Sequence, residues 1–416
     1  MWDRALEIFA QRAIRQGRLT LALASGRVIR AGSGGPEVTA RLTDPALPRR
    51  LCLAPELALG EAYMDGTLVI DGDDLRGFLE LIIANAGQSQ SLPLWQRPAR
   101  SVRRWLRVLK QFNPVPRARA NVAHHYDLSG RLYDLFLDAD RQYSCAYFQR
   151  PGMSLEEAQL AKKRHIAGKL LLKKDMRVLD IGCGWGGMAL TLARDYGARV
   201  LGVTLSQEQL KIARARAEKA GLADRARFQL LDYRKVEGPF DRIVSVGMFE
   251  HVGAPHYRTY FAKLRELLTE DGVALIHTIG RASPPGATSP WIDKYIFPGG
   301  YAPALSEVMR AVEKESLISG DVEVWRLHYA ETLRHWYDRF SAREDEARAL
   351  YDDRFCRMWR YYLIAAEMTF RRNNQVVFQL QLAKRQEAVP LTRDYLYEPS
   401  EQQSAAEPRR PSRAAR

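Results

Sequence analysis

A glycine-rich turn that directly follows an apolar run is the segment of this sequence with the clearest chemical meaning. Residues 178–187 read Val-Leu-Asp-Ile-Gly-Cys-Gly-Trp-Gly-Gly. Val178, Leu179 and Ile181 are typical of a short buried parallel strand. The glycines that follow carry no Cβ atom, so a ligand can lie close to the backbone. The amides at the start of the next helix offer a place for an anionic or strongly polar group.

The spacing of these glycines favours one class of ligand. Gly182, Gly184 and Gly186 stand at every second position, whereas a dinucleotide fingerprint has the form Gly-x-Gly-x-x-Gly. Asp180 comes just before the first glycine, which favours a nucleoside-binding methyltransferase over a pyrophosphate binder. A tight strand-to-helix turn without a ligand remains the alternative. Cys183 lies inside the turn, but no adjacent base activates it, so a nucleophilic role is disfavoured.

Strand and helix patterns alternate from Asp175 onward, as expected for a parallel sheet with right-handed crossovers. Five strands are predicted at residues 177–182, 199–203, 227–231, 240–247 and 272–279, and a last pair at 322–327 and 376–382 would complete a seven-stranded sheet. Ligands of such sheets bind beyond the carboxyl ends of the strands. The residues at those ends are Gly182, Gly184, Thr204, Asp232, residues 247–250, His277 and Ile279.

The composition is that of a globular protein with more than one domain. The chain has 416 residues, of which 46% are hydrophobic and 27% charged. No stretch approaches the roughly 18 apolar residues of a membrane span, so any membrane contact is expected to be peripheral. Residues 1–7 lack the pattern of a secretory signal. Four scattered cysteines without metal-ligand spacing indicate a reduced cytoplasmic protein, and no metal site is expected.

The net charge of +14 implies an anionic partner, either nucleic acid or an acidic lipid surface. Arg97, Arg100, Arg103, Arg104, Arg107 and Lys110 alternate with Trp95, Trp105, Leu106, Leu109 and Phe112. This pattern fits a basic amphipathic helix at a membrane interface. A linker helix whose apolar face packs on the protein is the alternative.

Four regions follow from these patterns. Residues 1–88 form a small α+β domain, with a strand pattern at 19–23 and a helix pattern at 75–86. Residues 89–120 are a basic linker, residues 121–391 the catalytic domain, and residues 392–416 a Pro-, Ser- and Ala-rich tail expected to be disordered.

Three more segments, taken with the glycine turn, carry a family resemblance: Tyr143-Ser144-Cys145, Gly247-Met248-Phe249-Glu250-His251-Val252-Gly253 and His277-Thr278-Ile279-Gly280. Together they resemble the cyclopropane-fatty-acyl-phospholipid synthases and the related mycolic acid cyclopropane synthases. The resemblance covers residues 121–391 and extends more weakly to Gly60-Glu61-Ala62-Tyr63-Met64-Asp65-Gly66.

The resemblance implies an α/β fold, a Rossmann-like methyltransferase with a seven-stranded, mostly parallel sheet and a small α+β N-terminal domain. It also implies methyl transfer from S-adenosylmethionine to a cis double bond of an acyl chain, with bound bicarbonate removing a proton so that a cyclopropane ring closes. The matching anion-site residues are Cys145, Glu250, His277, Ile279 and Tyr329. Taken singly, Cys145, His277 and Glu250 could equally be a buried hydrophobe, a core histidine and a helix-terminal charge.

The cofactor residues are predicted partly from the strand ends and partly from the resemblance. Gly182 and Gly184 should pass beneath the methionine portion, which Tyr143 and Ser144 should cover. Asp180 should order the glycine loop or the amino group. The resemblance assigns Thr204 and Gln209 to the cofactor, while Asp232 and Tyr233 should flank the adenine and Gly247 should allow close approach.

The resemblance makes unsaturated phospholipid the expected substrate. The enzyme is expected to reach it as a peripheral protein at the inner face of the cell membrane. A homodimer is expected, and nucleic acid is not expected as a partner because no recognition motif is present. One alternative keeps the cofactor and lipid but gives a methyl-branched or methylene chain. Another is an amine N-methyltransferase, and further ones are an RNA methyltransferase and a catalytically silent lipid-binding scaffold.

Overall fold

The N-terminal unit is a four-stranded sheet with helices packed around it. The computed structural model describes residues 1–86, Gln111 and 130–397. The elements of this unit are α1 (Trp2–Ala13), β1 (Gly17–Leu23), β2 (Val28–Ser33), β3 (Glu37–Leu42), α2 (Leu47–Leu53), α3 (Pro55–Met64), β4 (Leu68–Ile70) and α4 (Leu75–Ala86). The strand order is β2-β1-β3-β4, and only the β1–β3 pair is parallel.

The second unit is built on a seven-stranded sheet. Its strands are β5 (Arg177–Ile181), β6 (Arg199–Thr204), β7 (Ala226–Leu230), β8 (Phe240–Val246), β9 (Leu268–Arg281), β10 (Ile318–Trp325) and β11 (Gln375–Ala383). Their order is β10-β11-β9-β8-β5-β6-β7, and β11 alone runs against its neighbours. The order reverses at β5, where the fold leaves a crevice for a ligand.

Helices connect these strands and cover the sheet. They are α5 (Gly130–Phe136), α6 (Leu155–Lys169), α7 (Gly187–Tyr196), α8 (Gln207–Lys219), α9 (Tyr257–Leu267), α10 (Pro290–Tyr295), α11 (Leu305–Lys314), α12 (His328–Ala342), α13 (Glu344–Leu350) and α14 (Asp353–Arg372). Ser154 begins α6 with a capping box in which its side chain accepts from the Glu157 amide and the Glu157 side chain accepts from the Ser154 amide.

The two units share one apolar core. Leu79 of α4 belongs to the same buried cluster as Trp336 of α12 and Trp359 of α14. The segment Gly60–Gly66 lies at this joint. Trp291 of α10 packs on Gly60, where an added Cβ would lie 2.4 Å from the indole ring. Both units therefore bury apolar surface that neither would cover alone.

The expected fold class is confirmed, including the seven-stranded, mostly parallel sheet. The predicted basic linker helix and the start of the catalytic domain lie outside the described residues, apart from Gln111. Residues 392–397, placed in the tail by sequence, form a 3₁₀ turn at Asp394–Leu396, and the Tyr395 hydroxyl contacts the Gln381 side chain. In the described part of the chain, no helix is long and apolar enough to cross a membrane.

Candidate active site

The glycine turn forms the floor of a first cavity. The Gly182 and Cys183 amides both donate to the Val203 carbonyl, at 2.9 and 3.1 Å, which bends the chain away from β5. Gly182, Gly184 and Gly186 all have positive φ, a region that disfavours residues with a Cβ. At Gly184 an added Cβ would meet no atom within 4 Å, because this side of the turn faces open space. The turn is therefore shaped to let a ligand approach its backbone.

All ten residues predicted to bind the cofactor line this first cavity, and they come from four strand ends and the segment before α6. They are Tyr143, Ser144, Asp180, Gly182, Gly184, Thr204, Gln209, Asp232, Tyr233 and Gly247. Their assignment to a cofactor stays a prediction.

The residues after β6 and β7 form the far side of this cavity. The Thr204 hydroxyl donates to Gln209 Oε1 at 2.9 Å, so the two residues present one polar group. Asp232 is buried and forms a two-point ion pair with Arg234, with N–O distances of 2.8 and 2.6 Å. Tyr233 packs edge-on against Tyr260. This side thus offers fixed polar atoms beside an aromatic wall.

Asp180 is the buried acid of the first cavity. Its Oδ2 atom has no hydrogen-bond partner among the described residues. Burial raises the pKa of Asp180 to about 7, while the Lys162 ammonium acts in the opposite direction. A buried carboxyl oxygen that faces a cavity without a partner is well suited to accept from a cationic ligand group.

Lys162 of α6 supports the loop that carries Tyr143–Cys145. Its ammonium donates to Gln142 Oε1 at 2.7 Å and to Ser144 Oγ at 2.8 Å, and the residue is 0% exposed. Burial lowers the pKa of Lys162 to about 7. Gln159, also on α6, donates to the Gln142 and Ser144 carbonyls. Helix α6 therefore holds this loop in place through hydrogen bonds to Gln142 and Ser144.

A second, larger cavity of about 610 Å³ adjoins the first. The N-terminal unit supplies part of its apolar wall, including Phe9, Leu59 and Ile82, and α14 supplies Ala365 and Ala366. All five predicted anion-site residues line it: Cys145, Glu250, His277, Ile279 and Tyr329. The structure thus brings them to one cavity, although none of these assignments is tested by the geometry alone.

Glu250 lies in a 3₁₀ turn after β8 and faces the end of β9. Its Oε1 atom accepts from the Ile279 amide at 2.6 Å, and its Oε2 atom is buried with no partner among the described residues. Burial raises the pKa of Glu250 to about 7. The Ile279 amide is therefore engaged by Glu250, whose carboxyl group lines the second cavity.

His277 contacts the side chain of its neighbour on β11. The Gln379 amide nitrogen lies 3.1 Å from His277 Nδ1. With the Gln379 amide in this orientation its nitrogen donates, so Nδ1 accepts and Nε2 carries the proton. Burial lowers the pKa of His277 well below its usual range, so the ring is neutral. A neutral histidine with a fixed Nε2–H can donate to an anion.

Cys145 and Tyr329 complete the group from two other elements. Cys145 is fully buried, its thiol donates to the Ala146 carbonyl at 3.3 Å, and burial raises its pKa. The thiol is therefore not an activated nucleophile. Tyr329 lies in the first turn of α12, where its ring packs on Trp336 and Phe370.

Four residues line both cavities: Tyr143, Ser144, Gly247 and His251. The Gly247 amide donates to the His277 carbonyl at 2.9 Å. This bond joins the end of β8 to β9, the strand that carries His277 and Ile279. An added Cβ at Gly247 would meet no atom within 4 Å. The two cavities thus adjoin at this shared wall.

Sequence reasoning missed several residues at the site. His251 belongs to the motif at residues 247–253, but the sequence assigned it no role. Burial lowers its pKa to about 4. Gln142 was adjacent to Tyr143 and Ser144, and Trp185 lay in the glycine turn. For these three, closeness to a predicted residue was the available signal. Lys162 and Gln379 carried no signal, since each reads as an ordinary residue of its own helix or strand.

Comparisons with known proteins point to one family. The family model for mycolic acid cyclopropane synthetase matches residues 115–380. The cyclopropane-fatty-acyl-phospholipid synthase of Escherichia coli is 40% identical over 367 residues, which cover 86% of this chain and 92% of that protein. A probable fatty acid methyltransferase of Pseudomonas putida is 37% identical over 377 residues, covering 87% and 92%.

A solved structure supports the same relationship. The mycolic acid cyclopropane synthase CmaA1, complexed with SAH and CTAB, shares 34% sequence identity and aligns with a TM-score of 0.61, covering 65% of this chain and 99% of that one. The fold and the glycine-lined cavity define an enzyme of the S-adenosylmethionine-dependent methyltransferase class. Within that class, the chain belongs to the mycolic acid cyclopropane synthetase family.

Proposed function

We propose that this enzyme adds a methylene group from S-adenosylmethionine across the cis double bond of unsaturated phospholipid acyl chains. The observation that carries the proposal is the shared wall between a polar, glycine-floored cavity and a large apolar one that holds the five anion-site residues. The first cavity suits a nucleoside, and the second suits an acyl chain. The name of the Escherichia coli relative supports this substrate class.

The residues of the first cavity fit S-adenosylmethionine. The unpartnered Asp180 Oδ2 would accept from the amino group, and the open faces of Gly184 and Gly247 leave room for close backbone contact. Thr204 with Gln209 and Asp232 with Tyr233 would hold the ribose and the adenine from the far side. When bound there, S-adenosylmethionine supplies an electrophilic methyl group.

The residues of the second cavity fit a small anion. Bicarbonate bound there would supply a base for the proton that must leave the new methyl group if a ring is to close. Neutral His277 would donate from Nε2, and the pKa of Glu250, raised to about 7 by burial, lets its carboxyl group hold or release a proton near neutral pH. Fixed donors hold an anion beside a developing cation more strongly than solvent does, because they need not reorganise. The apolar wall keeps competing nucleophiles away from that cation.

A lipid C-methyltransferase that gives a methyl-branched or methylene chain is the second candidate. The Pseudomonas putida relative, named a probable fatty acid methyltransferase, favours it at nearly the same identity as the ring-forming relative. The presence of all five anion-site residues favours ring closure here.

A product assay tests the proposal. The protein is incubated with S-adenosylmethionine, bicarbonate and vesicles of cis-unsaturated phospholipid, and the lipids are examined by mass spectrometry and proton NMR. A gain of one CH₂ with cyclopropane proton signals is the expected result. The same gain with new =CH₂ signals would establish the methylene product, and lipids that gain no carbon would overturn the proposal.

A variant tests the anion site separately. Glu250→Gln cannot change its proton state, so we expect turnover to fall by about 100-fold while S-adenosylmethionine affinity stays unchanged. Cys145→Ser should also lower turnover while S-adenosylmethionine affinity stays unchanged. Glu237→Gln, an exposed position, is the control and should retain full turnover. Equal loss of cofactor affinity would contradict the roles assigned here.

The remaining parts of the proposal concern the whole protein. We propose that the N-terminal unit presents lipid, which its share of the apolar wall supports. We also propose a homodimer that acts peripherally at the inner face of the cell membrane. Sedimentation velocity tests the dimer, and fractionation of cells into membrane and soluble material tests the location.

A further inference from the structure

Helix α1 has two faces of different chemistry. Leu6, Phe9 and Ala10 line the large cavity. On another side, Arg4, Ile8 and Arg12 follow at intervals of four residues, so they lie above one another along the helix. All three are exposed, and Ile8 is 40% exposed. One side of the helix therefore bounds the cavity while the other meets the surroundings of the protein.

The start of α1 contacts α2, which carries further exposed residues. The Arg49 guanidinium lies over the Trp2 ring, 5.9 Å from its centroid. Leu53 lies one turn after Arg49 on the same face of α2 and is 60% exposed. We name the surface formed by Trp2, Arg4, Ile8, Arg12, Arg49 and Leu53 the basic face.

The carboxylates of α1 do not neutralise this surface. Asp3 accepts from the Ser25 hydroxyl at 2.7 Å, and Glu7 forms an ion pair with Arg27 at 2.5 Å. Within the described part of the chain, Arg4, Arg12 and Arg49 form no ion pair. The basic face thus combines positive charge with separate, partly exposed apolar side chains.

We infer that the basic face docks on a bilayer that contains anionic phospholipid. This inference rests on the proposed function, since the helix behind the face bounds the cavity that would receive an acyl chain. Arginine side chains attract anionic headgroups, and exposed tryptophan, isoleucine and leucine side chains enter the region between headgroups and acyl chains. Helix α1 then lies between the bilayer and the cavity.

Flotation with vesicles tests the inference on the full-length protein. Vesicles of phosphatidylglycerol and phosphatidylcholine are compared with vesicles of phosphatidylcholine alone. Each arginine near an anionic surface changes the binding constant by about fivefold, so Arg4→Gln/Arg12→Gln should weaken binding to the anionic vesicles by about 25-fold. Trp2→Ser/Leu53→Ser should weaken binding without changing the dependence on salt.

A matched control carries the same change of charge elsewhere. Lys211→Gln/Lys219→Gln alters two exposed residues of α8 and should bind vesicles within about twofold of the native protein. S-adenosylmethionine binding checks that every variant is folded. Turnover on phospholipid dispersed in detergent should be unchanged in the basic-face variants, because docking is then not needed.

The outcomes separate the inference from the proposed function. Equal vesicle binding by the native protein and the Arg4/Arg12 variant overturns the inference, as does equal loss in the α8 control. A variant that changes oligomeric state but not vesicle binding assigns the face to a contact between two copies, which also overturns it. If the variant loses vesicle binding while the native protein modifies no lipid, the docking surface stands and the proposed function fails.

Discussion

Among single residues, Asp180 gives the sharpest dependence on pH. Its pKa of about 7 means that the carboxyl is largely protonated below neutral pH in the free protein. A cationic amino group binds best to the ionised form, so binding must release this proton. We predict that S-adenosylmethionine affinity falls by about tenfold per pH unit as the pH drops from 7 to 5.

Calorimetry across this pH range, with native protein and Asp180→Asn, checks the prediction. The asparagine side chain cannot ionise, so the variant should bind S-adenosylmethionine more weakly than the native protein at pH 8. Its affinity should also lack the pH dependence attributed to Asp180. The exposed Asp224→Asn is the control and should follow the native curve. The same pH dependence in Asp180→Asn would assign the titration to another group, such as Lys162.

Gln379 gives a second prediction, since its amide nitrogen, oriented toward His277 Nδ1, favours the tautomer with the proton on Nε2. In Gln379→Leu the ring loses that partner, and the tautomer with Nδ1 protonated becomes accessible. We expect turnover to fall by about tenfold with unchanged cofactor affinity. NMR of ring nitrogens in ¹⁵N-labelled protein reports the tautomer, and a variant that keeps Nε2 protonated and full turnover would contradict the prediction.

The sequence could predict residues at strand ends but not their supports. Thr204, Asp232 and His277 were accessible because the carboxyl ends of parallel strands meet at one edge. Lys162 reads as one of several charged residues in a helix, and only the folded chain shows that it is buried behind Ser144. Such partners come from distant elements, and local patterns contain no information about them.

Among the elements, strand boundaries show where local patterns fail. We predicted strands at 272–279 and 322–327, whereas β9 begins at Leu268 and β10 spans Ile318–Trp325. Polar residues before these apolar runs resemble turns. In the structure, Asp321 lies inside β10 and pairs with Lys169 of α6 at 3.0 Å. A polar residue can thus belong to a strand when another element supplies its partner.

Helix α3 gives a prediction on packing. Alanine favours helix over glycine by about 1 kcal/mol, but a Cβ at Gly60 would lie 2.4 Å from the Trp291 ring. We predict that Gly60→Ala lowers stability by about 1–3 kcal/mol because the joint between the units must shift. Gly168→Ala, in α6 with its nearest contact at 3.5 Å, is the matched control and should not lower the melting temperature.

Thermal unfolding of both variants checks this expectation. Turnover on lipid should also fall in Gly60→Ala, because the joint bounds the large cavity, while cofactor binding should persist. A rise in melting temperature for Gly60→Ala equal to that for Gly168→Ala would show that the joint accommodates the methyl group.

For the whole molecule, the large cavity matters most because two units build its wall. Ile82 of α4 lines it on the N-terminal side, far along the chain from the anion-site residues. We predict that Ile82→Trp, which adds bulk to this wall, reduces turnover more for long acyl chains than for short ones. Val28→Trp, at an exposed position of β2, is the control and should leave this preference unchanged.

Competition between two phospholipids of different chain length in one vesicle measures the preference directly. Equal loss for both lengths in Ile82→Trp would mean that this part of the cavity does not receive the chain. The sequence indicated two units and the motif Gly60–Gly66, but it could not show a shared core. Apolar periodicity identifies a buried face, but it does not show which other element covers that face.

The loop before α6 places consecutive residues at both halves of the site. Tyr143 and Ser144 line both cavities, and the next residue, Cys145, lines the larger one. Lys162 and Gln159 hold this loop on one side, while the Thr332 hydroxyl accepts from the Ala146 amide at 3.0 Å. Insertion or deletion of one residue here would misplace donor and anion groups together. During evolution, the length of this stretch is therefore constrained as well as its side chains.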